Sequence, residues 1–179
     1  MKSTIMLSSG IYFDLLSPQT SVFTVKDIAH ALSHLCRFTG HTHEFYSVAE
    51  HSLRVSRIVP QHQSLQGLLH DAAEAFVGDV SSPLKHLLPD YKIIEQRIEV
   101  EIFKRFGVPL IICDEVKHAD LVMLATERRD LLPPSQDVWP IIDGIQPLPD
   151  HILPMDSMQA KIRFLKRFEE LGGYDFGDD

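Results

Sequence analysis

Apolar residues recur along most of this chain three and four positions apart, the spacing that gathers them on one face of a helix. The exception comes first. Short apolar runs between Thr4 and Leu16 surround Ser8-Ser9-Gly10, which predicts a small hairpin or extended arm, closed by Pro18. Thr24 with Asp27 then reads as a helix start, followed by Ile28, Ala31, Leu32 and Leu35 at helical spacing. That helix should end across Arg37-Phe38-Thr39-Gly40, with Gly40 as its C-terminal cap. Ser47 and Glu50 form a capping box for a second helix, in which Val48, Ser52, Val55 and Val59 share a face up to Pro60.

From Leu65 to Phe76 a third helix is expected. Leu65, Leu68, Leu69, Ala72 and Phe76 make one apolar stripe, and His70, Asp71 and Glu74 fall on the opposite arc. The chain then turns through Gly78, Ser81, Ser82 and Pro83. A helix starting near Asp90 carries Ile94, Ile98, Ile102 and Phe106 inward. Its Glu95, Arg97, Glu99, Glu101, Lys104 and Arg105 alternate in sign and read as a solvated face without chemistry.

The helix from about Glu115 to Leu131 breaks the rule. Its inward stripe of Val116, Met123, Leu124 and Leu131 also contains Asp120 and Glu127. A carboxylate on a buried face must meet a cation, a metal or a donor. For Glu127 the neighbours Arg128 and Arg129 point elsewhere on the helix, so another basic group is required. Residues 133–154 hold six of the eleven prolines and the only tryptophan, Trp139. A segment of this kind is either a lid or binding loop, or a loop packed down by Trp139 and Ile141. Asp156 or Ser157 caps a last helix, with Ile162, Leu165, Phe168 and Leu171 inward, and the acidic tail from Tyr174 should fray. The expectation is an all-α helical bundle with a small N-terminal hairpin or arm, one domain over residues 1–179, with no internal repeat.

Composition narrows the classes of function. With 44% hydrophobic and 23% charged residues the chain reads as an ordinary soluble globular protein. A net charge of −8 without any basic run argues against a nonspecific nucleic-acid binder. Two cysteines, Cys36 and Cys113, give no disulfide framework and read as core thiols in a reducing compartment. No signal peptide and no membrane-length apolar run is evident, so a cytoplasmic protein without a membrane partner is expected.

Candidate chemistry lies in four side chains. His51, His70, Asp71 and Asp120 are the clustered or inward ligand types, two imidazoles and two carboxylates. Such a mixed set suits Mn, Fe, Co, Ni or Zn, whereas Mg alone favours oxygen ligands. A divalent ion there would acidify a water and polarise a phosphoryl oxygen, the needs of phosphoester hydrolysis. Glu74, one turn past His70, is placed to orient or deprotonate that water. Asp79 is a candidate acid or base. Arg37 and Lys85 are candidate phosphate ligands. His41 and His43 join Arg37 to the His51 helix and are candidates for a phosphate or second-metal role, with His34 behind them. His30, His62, His86, His118 and His151 read as surface groups.

The pattern His51, His70-Asp71, Asp120 resembles the signature of the HD-domain metal-dependent phosphohydrolases. The flanks SVAEHSLRVS and HDAAEAFVGDVSSPLK resemble the bacterial HD-domain 5′-deoxynucleotidases. That resemblance implies catalytic roles for Glu74 and Asp79 and a phosphate role for Lys85. Arg37-Phe38 matches an Arg-aromatic pair that binds phosphate and packs by the sugar, with Phe where Trp is frequent. The longer pattern LSHLCRFTGH, FYSVAEHS, LLHDAAEAFVGD, LKHLLPDYK and KHADLVMLATERRDL is similar to the short prophage and phage members of the superfamily. These include phage dATP triphosphohydrolases. The resemblance, from about Ile11 to Leu132, implies an all-α fold, a divalent metal and hydrolysis of a deoxynucleotide at its 5′ phosphoester. The first expectation is dATP going to deoxyadenosine plus triphosphate, with dADP and dAMP as further substrates. It also implies a homo-oligomer, a dimer or hexamer, in the host cytoplasm if the chain is phage-encoded. Three alternatives stand beside it: a 5′-deoxynucleotidase acting on dNMPs, a phosphodiesterase for signalling nucleotides, and a nucleotide-sensing module without turnover.

Overall fold

One capping acid, Asp27, decides where the first elements begin. Thr24 and Asp27 cap each other reciprocally at the start of α1 (Val25–His34). The same Asp27 carboxylate accepts from Ser8 Oγ at 2.9 Å and from Ser9 N at 2.9 Å. It therefore ties the tip of the N-terminal hairpin to α1. That hairpin is the two-stranded antiparallel sheet β1 (Thr4–Met6) and β2 (Tyr12–Asp14), with Ile5 opposite Phe13. Phe13 is fully buried and stacks on Phe76 at 4.1 Å between ring centroids.

The computed structural model describes residues 3–175, and it is predominantly helical. After α1 come α2 (Val48–Ile58), α3 (Ser64–Leu69), α4 (Glu74–Val77), α5 (Ser82–Lys85), α6 (Pro89–Arg105), α7 (Asp114–Leu131) and α8 (Ser157–Glu170). None of the described helices is long and apolar enough to cross a membrane.

Helix α2 sits between two apolar clusters. Val48, Ala49 and Leu53 join the larger one, built with α1, α3, α4, α6 and α8. Val55 and Val59 join a smaller one with Val116, Ala119 and Met123 of α7. Nearly all of α2 is therefore buried, polar residues included. Gly67 lets α3 approach α2 closely, since a Cβ there would lie 3.3 Å from Ser56 Cα and 3.2 Å from a Val59 methyl. This close crossing brings the His51 and His70 rings together.

The structure departs from the sequence expectations in several places. Helix α1 stops at His34, and Gly40 does not cap it. Phe38, Thr39 and Gly40 form a left-handed turn instead, with φ of 54°, 54° and 79°. The expected third helix is split. Between α3 and α4 the bonds tighten to a three-residue reach (Ala72 N to Leu69 O, Glu74 N to Asp71 O), so His70 and Asp71 lie in a constricted turn. In the Ser47 box only half forms: Ser47 accepts from Glu50 N, while the Glu50 carboxylate is taken by Arg54 and Met155 N. On α8 the inward stripe is Ala160, Phe164 and Phe168, and Ile162 is exposed. Neither cysteine is a core thiol; Cys36 is exposed and Cys113 half-buried. Of the expected frayed tail, Asp175 is bound to Arg105 and to Val25 N, and residues 176–179 lie outside the described residues.

Candidate metal centre

His51 and His70 each commit one ring nitrogen to an acceptor. His51 Nδ1 lies 2.6 Å from Glu127 Oε1, and His70 Nδ1 lies 2.9 Å from the Gly67 carbonyl. A carboxylate and a carbonyl only accept, so both Nδ1 atoms carry the proton and donate it. In the neutral rings both Nε2 atoms are then bare lone pairs. They face each other at 3.3 Å. Asp120 Oδ1 is 3.1 Å from His51 Nε2 and 4.0 Å from His70 Nε2. Asp71 Oδ2 is 3.6 and 3.3 Å from the same two nitrogens. Four acceptors thus converge on one point.

Such a convergence is unfavourable unless a cation sits in it or the imidazoles take up protons. The charge balance reflects this. Burial opposes ionisation of His70, yet the Asp71 and Asp120 carboxylates push it up to about 9. Burial and Arg37 oppose the charge on His51, but Glu127 and Asp120 still raise it. Asp71 is held well below the usual carboxylate range despite its burial, by His70, His51 and Arg37. The donor set, with a partner fixing the far nitrogen of each ring, fits a divalent ion. His51, His70 and Asp120 offer ligand atoms within 4.8 Å of one another, and they could hold a metal ion. Asp71 stands beside them.

The surroundings separate into an anchoring side and an open side. On the anchoring side Glu127, fully buried on α7, meets His51 and also Arg37, whose Nε and terminal nitrogen both lie 3.2 Å from Oε2. These are the cations that the Glu127 pattern demanded. Burial works against its charge, but Arg37 and His51 keep Glu127 below the ordinary range. Arg37 also reaches Asp71 at 3.5 Å.

On the open side a cavity of about 180 Å³ is lined by His70, Asp71, Glu74, Lys85, Glu99 and Asp120. Lys85 lies 3.1 Å from Glu74 Oε1 and 2.7 Å from Glu95 Oε1. The other Glu74 oxygen is buried and has no hydrogen-bond partner among the described residues. Burial, with Asp71 and Asp79 nearby, pushes Glu74 well above its usual value. Burial and Asp71 likewise raise half-buried Asp79, although Arg37 and Lys85 oppose the shift. The sequence pattern predicts α6 but reads its charged face as solvated and without chemistry, which the structure corrects. Glu95 holds Lys85, and Glu99, raised to about 7 by burial, Glu95 and Asp71, lines the cavity. The available signal was the four-residue repeat Tyr91, Glu95, Glu99. His41 and His43 are exposed, outside the three-residue metal group, and His34 turns its Nδ1 to His30 O at 2.7 Å.

No family model matches the sequence. The chain is 43% identical over 162 residues to YfdR of Escherichia coli (strain K12), an uncharacterized protein, with 89% of each chain covered. It is 35% identical over 121 residues to an uncharacterized protein of Rhodobacter capsulatus, covering 62% of each. The fold and site define a helical protein with a candidate His/Asp metal centre. The chain belongs to the family of E. coli YfdR.

Proposed function

We propose that the protein is an HD-domain phosphohydrolase that uses a divalent metal to cleave the 5′ phosphoester of deoxynucleotides, with dATP going to deoxyadenosine plus triphosphate as the first candidate reaction. The observation that carries this reading is the meeting of the His51 and His70 Nε2 lone pairs with Asp71 and Asp120. A transition metal is favoured by the two imidazoles.

A divalent ion on those four residues supplies charge that polarises a phosphoryl oxygen and acidifies a water. The chain's own residues do the rest. Glu127 orients His51, and the Gly67 carbonyl orients His70. Glu74, made more basic by burial, takes a proton from the attacking water. The water oxygen bonds to the α-phosphorus as the bond from phosphorus to O5′ breaks. Asp79, held protonated more readily than an exposed carboxyl, delivers a proton to O5′. Arg37 and Lys85 each keep donors beyond those their carboxylate partners use, and these face phosphate oxygens.

Product analysis over dNTPs, dNMPs and rNTPs with Mn or Co tests the reading. Inorganic triphosphate and deoxyadenosine from dATP are expected. Orthophosphate from dNMPs alone would mark a 5′-deoxynucleotidase, and nucleotide binding with no product a sensing module. Undiminished metal-dependent turnover in Asp71→Ala or Glu74→Ala would sink the assignment.

A further inference from the structure

Beside the metal centre the chain carries strain that the hydrolytic residues do not explain. Phe38 and Thr39 are both left-handed, a conformation that costs L-residues about 1–2 kcal/mol each and is rare for a β-branched side chain. Long-range backbone bonds hold the segment there: Arg37 N to Tyr46 O at 3.0 Å and His43 N to Leu131 O at 2.9 Å. Strain of this kind gathers at binding and catalytic sites. Here it accompanies a Phe38 ring whose centroid lies 6.5 Å from that of Trp139.

Trp139 belongs to the proline-rich loop 133–147, which walls a cavity of about 350 Å³ against α7. Arg128 of α7 stands 5.0 Å over the Trp139 ring, and it donates to the Asp137 carbonyl of the same loop. The end of the loop is fixed. Leu148 N donates to Thr126 Oγ1, Arg129 holds the Leu148 and Asp150 carbonyls, and Asp130 accepts from Ile152 N. Ile142, buried, anchors the middle, while Ile141 is exposed. The loop is therefore a built wall, held by three consecutive α7 residues, Arg128 to Asp130, and by Thr126.

We propose that this cavity seats the base of the nucleotide, with Arg128 and Trp139 as its specificity-determining wall. The identity of the occupant rests on the proposed phosphohydrolase reading. The size lies at the small end for ligand pockets, fitting one ring system. A flat π-system takes the same stacking and cation–π contacts that join Trp139, Arg128 and Phe38. Arg128, Gln136 and Asp143 offer polar edges along the lining. Phe38, whose ring approaches Trp139, directly follows Arg37, which contacts Asp71 beside the candidate metal centre.

Trp139 is the only tryptophan, so the emission of the full chain reports on this wall. Nucleosides have no phosphoester to cleave, which separates binding from turnover. Titration of the Mn-loaded protein with deoxyadenosine up to millimolar concentration should change the emission saturably, and inorganic triphosphate alone should not. Arg128→Met should weaken nucleoside binding about tenfold, a loss of roughly 1.4 kcal/mol. By calorimetry, Trp139→Leu should do the same, with Trp139→Phe retaining binding. In a hydrolysing protein Trp139→Leu should raise KM and leave kcat in place. The absence of any saturable response to nucleoside, or unchanged nucleoside affinity in both Trp139→Leu and Arg128→Met, overturns the base seat. Lack of hydrolysis with a normal nucleoside response instead overturns the enzymatic reading and leaves the seat standing.

Discussion

Glu50 and Glu127 are both fully buried carboxylates, and each meets an arginine. They nevertheless do opposite things. Glu50 on α2 takes Arg54 at 2.7 Å and the Met155 amide at 2.8 Å, and so clips the chain after the proline-rich loop onto the bundle. Burial dominates there and pushes its carboxyl up. Glu127 on α7 meets two cationic partners, Arg37 and His51, and is kept an anion. Glu50 ends in backbone that carries no chemistry. Glu127 ends in a ring whose far nitrogen points at other acceptors. Burial and pairing therefore do not mark a functional acid; what its partner does next marks it.

Removing each acid breaks the comparison most directly. Glu127→Ala leaves Arg37 and His51 without their buried anion and should cost about 3–5 kcal/mol in urea unfolding. It should also lower Mn affinity about 10–100-fold by calorimetry, as loss of an outer-shell partner of a ligating histidine does. Glu50→Ala strands one amide and frees an arginine that reaches solvent, at a cost of about 1–3 kcal/mol. Its Mn affinity should not move. Equal loss of Mn affinity in the two variants would show that the anchoring side is not special.

Titration sharpens the same contrast. In the metal-free protein His70 is raised to about 9 from its ordinary value near 6.5. A raised histidine binds its proton more tightly when folded, so its contribution is complete below pH 6.5 and is lost as pH rises toward 9. Urea midpoints measured in chelator should fall across this window. Mn affinity should rise across it, because the ion displaces that proton. A flat urea profile between pH 6.5 and 9 would contradict the converging-acceptor geometry.

The acids of α7 also show what the sequence makes legible. Asp120 and Glu127 stand out because each interrupts an apolar stripe, and a helical period is a local property. Their partners are not local: Arg37 is 90 residues from Glu127 and His51 is 76. The packing of α2 against α7, and the turn after Arg37 held by Tyr46 and Leu131, bring these groups together. The polar arc of His70, Asp71 and Glu74 was legible from its helical spacing, but its support from α6 was not. Glu95 and Glu99 lie among alternating charges that look solvated until Lys85 folds against them. The misplaced cap at Gly40 has the same cause. A glycine after a helical run signals a helix end, while the actual turn is set by Tyr46 and Leu131, which no local pattern connects to it.

The smallest effect tests the loop clip beside Glu50. Thr126 is fully buried; its hydroxyl donates to Val122 O at 2.7 Å and accepts from Leu148 N at 2.9 Å. Thr126→Val keeps the shape and removes both bonds, leaving the Leu148 amide without its acceptor. The expected cost is about 1–2 kcal/mol. Mn affinity should be unchanged, since Thr126 touches no ligand. Proteolysis within 133–147 should quicken, because the loop loses one of the bonds that end it. If Thr126→Val instead weakened Mn binding as Glu127→Ala does, α7 would transmit loop position to the metal centre, and the division between clip and anchor would fail.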